Sequence, residues 1–302
     1  MVDEILGLDV HARMDDEMHA ELAENASNMS YRKAGKSSGE VEISGQTVMN
    51  KVRSPEKIKV ENIATEKKSV AILYVEADED HIALQTGKRA MPRLIYIHEG
   101  IREEGKRRCL KAPYYISSLK GTPGELWQEA YEYIEDNYDI DKIEQIYLSG
   151  DGAAWIRQGL DYLPKAKFVL DRYHMSKYVT KATAHKREYA SKVWNSLRRA
   201  DYDELALVFN ELYLATENEL KRDEIKESWT YFKNNWDGIK IQAEDAERII
   251  GCSAEGHNSH ILASRMSSRP MGWSKDGADK MARLRAFKAN NGKVIDFLKL
   301  QN

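Results

Sequence analysis

Three carboxylates stand where a divalent cation could be held. Asp78 closes the apolar run Val70-Ala-Ile-Leu-Tyr-Val-Glu-Ala-Asp78, whose length and β-branched content predict a strand. Asp151 follows a second such run, Gln145-Ile-Tyr-Leu-Ser149, between Gly150 and Gly152. Sites in open α/β sheets form outside the carboxyl ends of strands, so aspartates from two neighbouring strands would meet there. Together they make a hard, oxygen-rich donor set suited to Mg²⁺ or Mn²⁺. The flanking glycines permit a sharp turn and would leave room for a bulky ligand. Glu255, in the first turn of a helix expected to start near Ala254, would be the third ligand. Each residue also has an ordinary use: strand-end aspartates cap and turn, and an acid in a first turn suits the helix dipole.

The segment from Gly251 to Ser274 holds other reactive groups. Cys252, His257 and His260 suggest zinc, but they lack a fourth ligand at a usual spacing, and the other cysteine, Cys109, is remote in sequence. Helical spacing puts Glu255, Ser259 and Leu262 on one face and both histidines on another. Asp171 and His174 follow a third strand-like run, Lys167-Phe-Val-Leu-Asp171. They read either as a helix cap with a neighbouring aromatic or as a pair whose histidine donates to phosphate. Arg265, Arg269 and Lys275 form a basic run after Glu255, which is either a solvated face or a nucleic-acid clamp.

The elements that must position these groups come in a definite order. Residues 1–30 read as helical, with a short segment after Ser30. Ser44 is placed to cap a helix over Ile43–Arg53, with Gln46, Asn50 and Arg53 on its polar face and Val48, Met49 and Val52 for packing. That segment resembles a helix-turn-helix recognition element, or else a small helical connector. The run ending at Asp78 is predicted to turn at Glu79-Asp80 and return as His81–Gln85. Arg93–His98 is a third strand, and Lys111–Ser117 a possible edge segment because of Pro113. A helix over Gly124–Tyr138, the strand before Asp151, a helix over Ala153–Leu160 and the strand ending at Asp171 complete a mixed sheet covered by helices. Some 75 residues up to about Ile250 then carry helical patterning alone, in the segments Lys177–Ala200, Asp201–Leu220 and Asp223–Ile250.

The 302-residue chain carries a net charge of −3, which by itself points to no polyanionic partner. Its distribution is uneven. Between Lys177 and Arg199 seven basic residues face one acid, Glu188; between Arg265 and Lys299 nine face three, so a polyanion could be bound locally. No apolar run is long enough to span a bilayer, no signal pattern opens the chain, and two cysteines build no disulfide scaffold. A cytoplasmic, nucleoid-associated protein without a membrane partner is the expectation.

Four blocks, Tyr74–His81, Tyr147–Ile156, Phe168–Tyr178 and Gly251–Ser274, closely resemble insertion-sequence transposases of the ISLre-two type, which are similar to Mutator-like transposases. The resemblance covers essentially the whole chain. It implies a ribonuclease H-like domain with a DDE triad on Asp78, Asp151 and Glu255 and an Asp-x-x-His signature on Asp171 and His174. An all-helical insertion would precede the glutamate. The implied division is a helix-turn-helix-like DNA-binding segment (1–66), a first part of the catalytic core (67–174), the helical insertion (175–250) and the final core helices (251–302). The implied activity is metal-dependent DNA cleavage and strand transfer, with two Mg²⁺ or Mn²⁺ ions serving both ends of an in-line displacement. Double-stranded DNA and further copies of the chain would be the partners. Gln46, Asn50, Arg53, Lys177, Lys181, Arg265, Arg269 and Lys275 would contact DNA. The chain looks N-terminally truncated beside the family, so an inactive DNA-binding remnant is the alternative expectation.

Overall fold

A five-stranded mixed sheet carries the candidate residues. The structure is a computed structural model that describes residues 14–38, 42–55, 66–105 and 107–299, without the side chains of Arg107, Glu255 and Lys299. The helical reading of residues 1–13 lies outside these. Three short helices come first: α1 (Asp16–Asn28), α2 (Tyr31–Ser37) and α3 (Gly45–Arg53). Each begins where a side chain takes up an orphan backbone N–H, since Asp15 accepts from Met18, Ser30 from Lys33 and Ser44 from Thr47.

The sheet region follows as β1 (Ile72–Glu79), β2 (Ile82–Ala83), β3 (Arg89–Ala90), β4 (Arg93–His98), β5 (Ile101–Glu104), β6 (Arg107–Leu110) and β7 (Tyr114–Ser118). Helix α4 (Pro123–Asn137), opened by a capping box between Thr122 and Glu125, leads to β8 (Gln145–Gly150), the short α5 (Ala154–Arg157) and β9 (Ala166–Leu170). The main sheet has the order β7-β4-β1-β8-β9. Its first three strands in sequence are antiparallel neighbours, and β8 and β9 run parallel to β1. The mixed sheet covered by helices is as expected, but one pairing differs. His81–Gln85 does not return along β1. Asp80 N–H is taken by the carbonyl of Pro92, and β4 becomes the antiparallel partner, with Asp78 opposite Leu94. Ile82–Ala83 pairs with β3 in a separate ribbon. The more apolar run from Leu94 to Ile97 fits a central place that the polar His81–Gln85 does not.

Five helices make up the insertion: α6 (Arg172–Thr183), α7 (Glu188–Arg199), α8 (Tyr202–Leu214), α9 (Glu219–Asn234) and α10 (Trp236–Glu244). The segment expected to be one helix from Lys177 is thus two, and the first starts at Arg172, capped by Asp171. The chain returns through α11 (Ala254–Asn258), a π-helical turn at Ser259–Ala263 and α12 (Ser264–Met266), and ends with α13 (Lys275–Ala289) and α14 (Val294–Lys299).

Strand alternation divides the core into two layers. Leu73, Val75, Ile95, Ile97 and Leu148 face α4 and the insertion, with Trp127 fully buried among them. Leu94, Tyr96 and Tyr115 face the other way, toward Leu262, Met266 and Met281. Leu22, Ala26, Val48 and Val52 of the first helices enter that second layer. The helices expected to form a separate DNA-reading segment therefore share a core with the last helices of the chain.

Candidate active site

The parallel pairing of β1 with β8 sets Glu76 opposite Ser149, and that of β8 with β9 sets Gly150 opposite Leu170. Carried on to the strand ends, the register brings Asp78, Asp151 and Asp171 to one level across three adjacent strands, about 4.8 Å apart in backbone spacing. The hydrogen bond from Asp171 N–H to the carbonyl of Gly150 (2.9 Å) holds the last step of that row. All three aspartates sit at the carboxyl edge of the sheet, as the sequence led one to expect of Asp78 and Asp151.

Local geometry fixes each of them. The backbone N–H of Glu79 donates to Asp78 Oδ1 at 2.8 Å, and Asn258 Nδ2 donates to Asp78 Oδ2 at 3.0 Å. Ala153 N–H donates to Asp151 Oδ1 at 2.8 Å, and the Tyr231 hydroxyl donates to the Asp151 carbonyl at 2.8 Å. Gly152 has φ +92°, and a Cβ there would stand 2.0 Å from Asn235 Oδ1. At Gly150 it would stand 2.8 Å from Ile156 and 3.1 Å from the Ala77 carbonyl. The space expected for a ligand beside these glycines is thus taken by the protein, and the insertion, through Tyr231 and Asn235, clamps the Asp151 turn. Arg157 ties the clamp down by bonding Asn235 Oδ1 at 2.9 Å and both carboxylate oxygens of Asp237 at 2.8 Å.

Asp171 caps α6 by accepting from Tyr173 N–H, and its other oxygen meets His174 Nδ1 at 2.8 Å. Burial works against charge on this imidazole. The hydrogen bond and charge of Asp171, with Asp151 and Asp78 behind it, still raise its pKa above the ordinary histidine value. The aspartate is thus a cap, as one reading had it, and the histidine stands in the field of all three aspartates. Glu79, one residue beyond Asp78, is pushed up by burial and by the charge of Asp151, against a bond from the Trp155 indole N–H. Among the described residues no three His, Cys, Asp or Glu side chains form a group that could hold a metal ion; the expected third carboxylate, on Glu255, is not among the described side chains.

The backbone of α11 is nevertheless placed. Ser253 N–H donates to Glu76 Oε2 at 2.5 Å, and Asn258 Nδ2 reaches both Asp78 and the carbonyl of Glu79 (2.9 Å). Position 255 lies between two residues pinned to β1. Beneath it, Glu76 is buried with His98 at 3.0 Å and the Tyr96 hydroxyl. Burial pushes the Glu76 carboxyl up, yet His98 and Tyr96 hold it below the usual range. His257 packs 4.8 Å from the Tyr96 ring and bonds the Tyr115 hydroxyl at 2.9 Å, whereas His260 is exposed. Cys252, His257 and His260 do not come together as a group that could hold zinc, and His257 is a docking residue for α11.

The cations separate into two groups. Arg265 is buried, bonds the Ala26 carbonyl at 2.8 Å and lies against the rings of Trp273 and Tyr31. Arg53 turns to Ser274 Oγ at 2.8 Å, beneath the start of α13. Both were expected as DNA contacts, and both instead join the first helices to the last. Lys181 is paired with Glu227 at 2.6 Å. Gln46, Asn50, Lys177, Arg269 and Lys275 are exposed. Sequence reading missed Asn258, Tyr231, Asn235 and Glu76. Asn258 alone gave a signal, three positions after Glu255 and so on the same helical face; the others lie too far along the chain from their partners.

A UPF0236 protein of Caldanaerobacter subterraneus subsp. tengcongensis is 46% identical over 292 residues, covering 97% of this chain and 62% of its own length. A second from the same organism is 44% identical over 292 residues, with coverage of 97% and 62%. A UPF0236 protein of Streptococcus gallolyticus is 24% identical over 306 residues, 96% of this chain and 67% of its own. The chain thus spans about three-fifths of the length of several curated relatives it matches. Residues 1–297 match the description of the uncharacterised protein family UPF0236, and the chain belongs to that family.

Proposed function

We propose that the chain is a DDE transposase of an insertion sequence, a polynucleotidyl transferase on a ribonuclease H-like sheet, with Asp78, Asp151 and Glu255 as its triad. The observation that carries the reading is the row of strand-end aspartates on β1 and β8 beside a helix pinned to β1 on both sides of position 255. The sheet order and the helical block between Asp171 and α11 support it further.

Hard carboxylate oxygens from Asp78, Asp151 and Glu255 suit Mg²⁺ or Mn²⁺. The buried Asn258 Oδ1, which has no partner among the described residues, adds another oxygen at the same place. Two such ions, when bound, would activate the attacking oxygen and stabilise the leaving one. The protein's own groups do the rest. Asn258 holds Asp78, Tyr231 and Asn235 hold the Asp151 turn, and protonated His174 donates toward the scissile phosphate. Water is the nucleophile for the first cut, and the freed 3′-hydroxyl attacks target DNA in the second step. Exposed Lys177, Arg269 and Lys275 follow the DNA backbone, and Gln46 and Asn50 face base edges.

The experiment is nicking and strand transfer on DNA bearing the element's ends, in Mg²⁺ and in EDTA, with Asp151→Asn and Glu255→Gln beside the parent. Loss of cleavage with DNA binding retained supports the triad. Full activity in either variant rejects it, and metal-independent binding without cleavage in the parent would leave only a DNA-binding protein.

A further inference from the structure

A cavity of about 500 Å³ opens among α6, α7 and α10, and the proposed chemistry does not use it. Gln242 on its wall donates to the carbonyl of Leu170 at 3.3 Å, so the cavity abuts the carboxyl end of β9. Arg172, which also lines it, directly follows Asp171. The floor includes Met175 and Leu197, both buried, and Trp194 stands half-buried at the side with the Arg198 guanidinium 5.8 Å from its ring.

Along the same basic stretch Lys181 is paired with Glu227, Lys192 with Glu211 and Arg199 with Glu204. Arg172 and Arg198, like Lys177, Lys186 and Arg187, have no acidic partner among the described residues, and these two are the ones that line the cavity. Two unpaired guanidiniums at the rim of one cavity, with an indole face and a buried amide inside, form a set that matches a nucleotide. The indole offers a stacking surface to a base, the guanidiniums bind phosphate oxygens, and the amide can bond a base edge. A volume of this size lies in the range of small-ligand sites and cannot admit a duplex.

We infer that this cavity binds one unpaired nucleotide of a DNA strand, with its base against Trp194 and its phosphate between Arg172 and Arg198. The inference takes DNA as the polymer from the transposase reading, but it needs neither the triad nor a metal. A nucleotide held there would lie one strand over from Asp151, so an extruded or single-stranded base beside the cut would fix the position of the neighbouring phosphate.

The test uses the full chain in EDTA with a sugar–phosphate strand of about eight units, a length matched to single-strand sites. The strand is abasic except for one central 2-aminopurine, and a wholly abasic strand serves as control. Binding is read by anisotropy and stacking by 2-aminopurine quenching. The base-bearing strand is expected to bind ~10-fold tighter than the abasic one and to be quenched. Trp194→Ala should remove both effects, Trp194→Phe should keep most of them, and Arg198→Ser, a surface change, should weaken binding of the base-bearing strand. Competition by free dAMP, and failure of a blunt duplex to compete, agree with the inference. Equal affinity for the two strands, quenching that survives Trp194→Ala, or binding of dAMP that the base-bearing strand cannot displace would each overturn it. None of these outcomes bears on cleavage, so the triad stands or falls separately.

Discussion

Asn258 and Asp78 are 180 positions apart in sequence, and a 3.0 Å hydrogen bond joins them at the carboxyl edge of the sheet. Asn258 also donates to the Glu79 carbonyl, which fixes its amide so that Oδ1 is the atom left buried and unpaired. This one side chain therefore couples the strand carrying the first aspartate to the helix carrying Glu255. Asn258→Ala is expected to lower nicking by ~10–100-fold and to raise the Mg²⁺ concentration for half-maximal rate, the usual cost of losing a group that orients a ligand. Its stability should fall by only about 1–3 kcal/mol, as for one buried hydrogen-bonding group. Nicking at the parental rate in a folded variant would remove Asn258 from the site.

The Asp151 turn can be tested through sterics alone. Gly152→Ala meets both a φ of +92° and Asn235 Oδ1 at 2.0 Å, and it should cost about 1–3 kcal/mol from backbone strain plus the clash. Asn235→Gly relieves the clash but not the φ, so the double variant should recover part of the loss. A double-mutant cycle by urea unfolding should return a coupling of about 0.5–3 kcal/mol. Strict additivity would mean that the insertion does not press on this turn.

Much of this was legible in the sequence, for physical reasons that differ by residue. Asp78 and Asp151 end apolar runs of strand length, so their place at the sheet edge follows from periodicity. Ser44 and Asp171 cap helices because short polar side chains take up orphan N–H groups wherever a helix starts. The return of His81–Gln85 along β1 was misread because a polar pair after a strand resembles a hairpin turn, and only the competition with Leu94–Ile97 for a buried place decides the partner. Arg265 and Arg53 were misread because a guanidinium looks the same in sequence whether it faces water, two aromatic rings as Arg265 does, or a serine hydroxyl on another helix as Arg53 does. Tyr231 and Asn235 gave no signal, since their partners stand some 80 positions away.

Acid should destabilise the junction between β7 and α13. Asp279 accepts from Ser118 Oγ at 2.7 Å and from the N–H groups of Leu119 and Lys120 at 2.8 Å. Burial pushes its carboxyl up, but those bonds and the charge of Arg283 hold it below the ordinary aspartate value. A depressed folded pKa means that the unfolded chain takes up the proton first. The contribution is therefore complete above the unfolded value near 3.9 and is lost as pH falls from about 4 through the folded value. Thermal midpoints taken from pH 7 to pH 2 should drop more steeply at the acid end in the parent than in Asp279→Asn, which starts lower and lacks this term. Parallel curves would show that the carboxylate adds nothing in this window.

Arg265 and Arg269 are four residues apart, and opposite outcomes are expected from them. Arg269 is exposed, and as a phosphate contact its loss in Arg269→Ala should weaken binding to any duplex. It should also lower the slope of log affinity against log salt by about 1, without moving the thermal midpoint. Arg265 is 6% exposed, bonds the Ala26 carbonyl and lies 4.9 Å from the Trp273 ring, so it joins α1 to the end of the chain. Arg265→Ala should leave the salt slope unchanged and lower stability by several kcal/mol through lost packing and an orphaned carbonyl. Arg265→Lys should recover little, because an ammonium cannot hold the planar position between the two rings. Salt titrations of duplex binding, run beside thermal melts of the same three variants, separate the two roles. A salt slope that falls in Arg265→Ala at unchanged stability would return that arginine to the DNA surface.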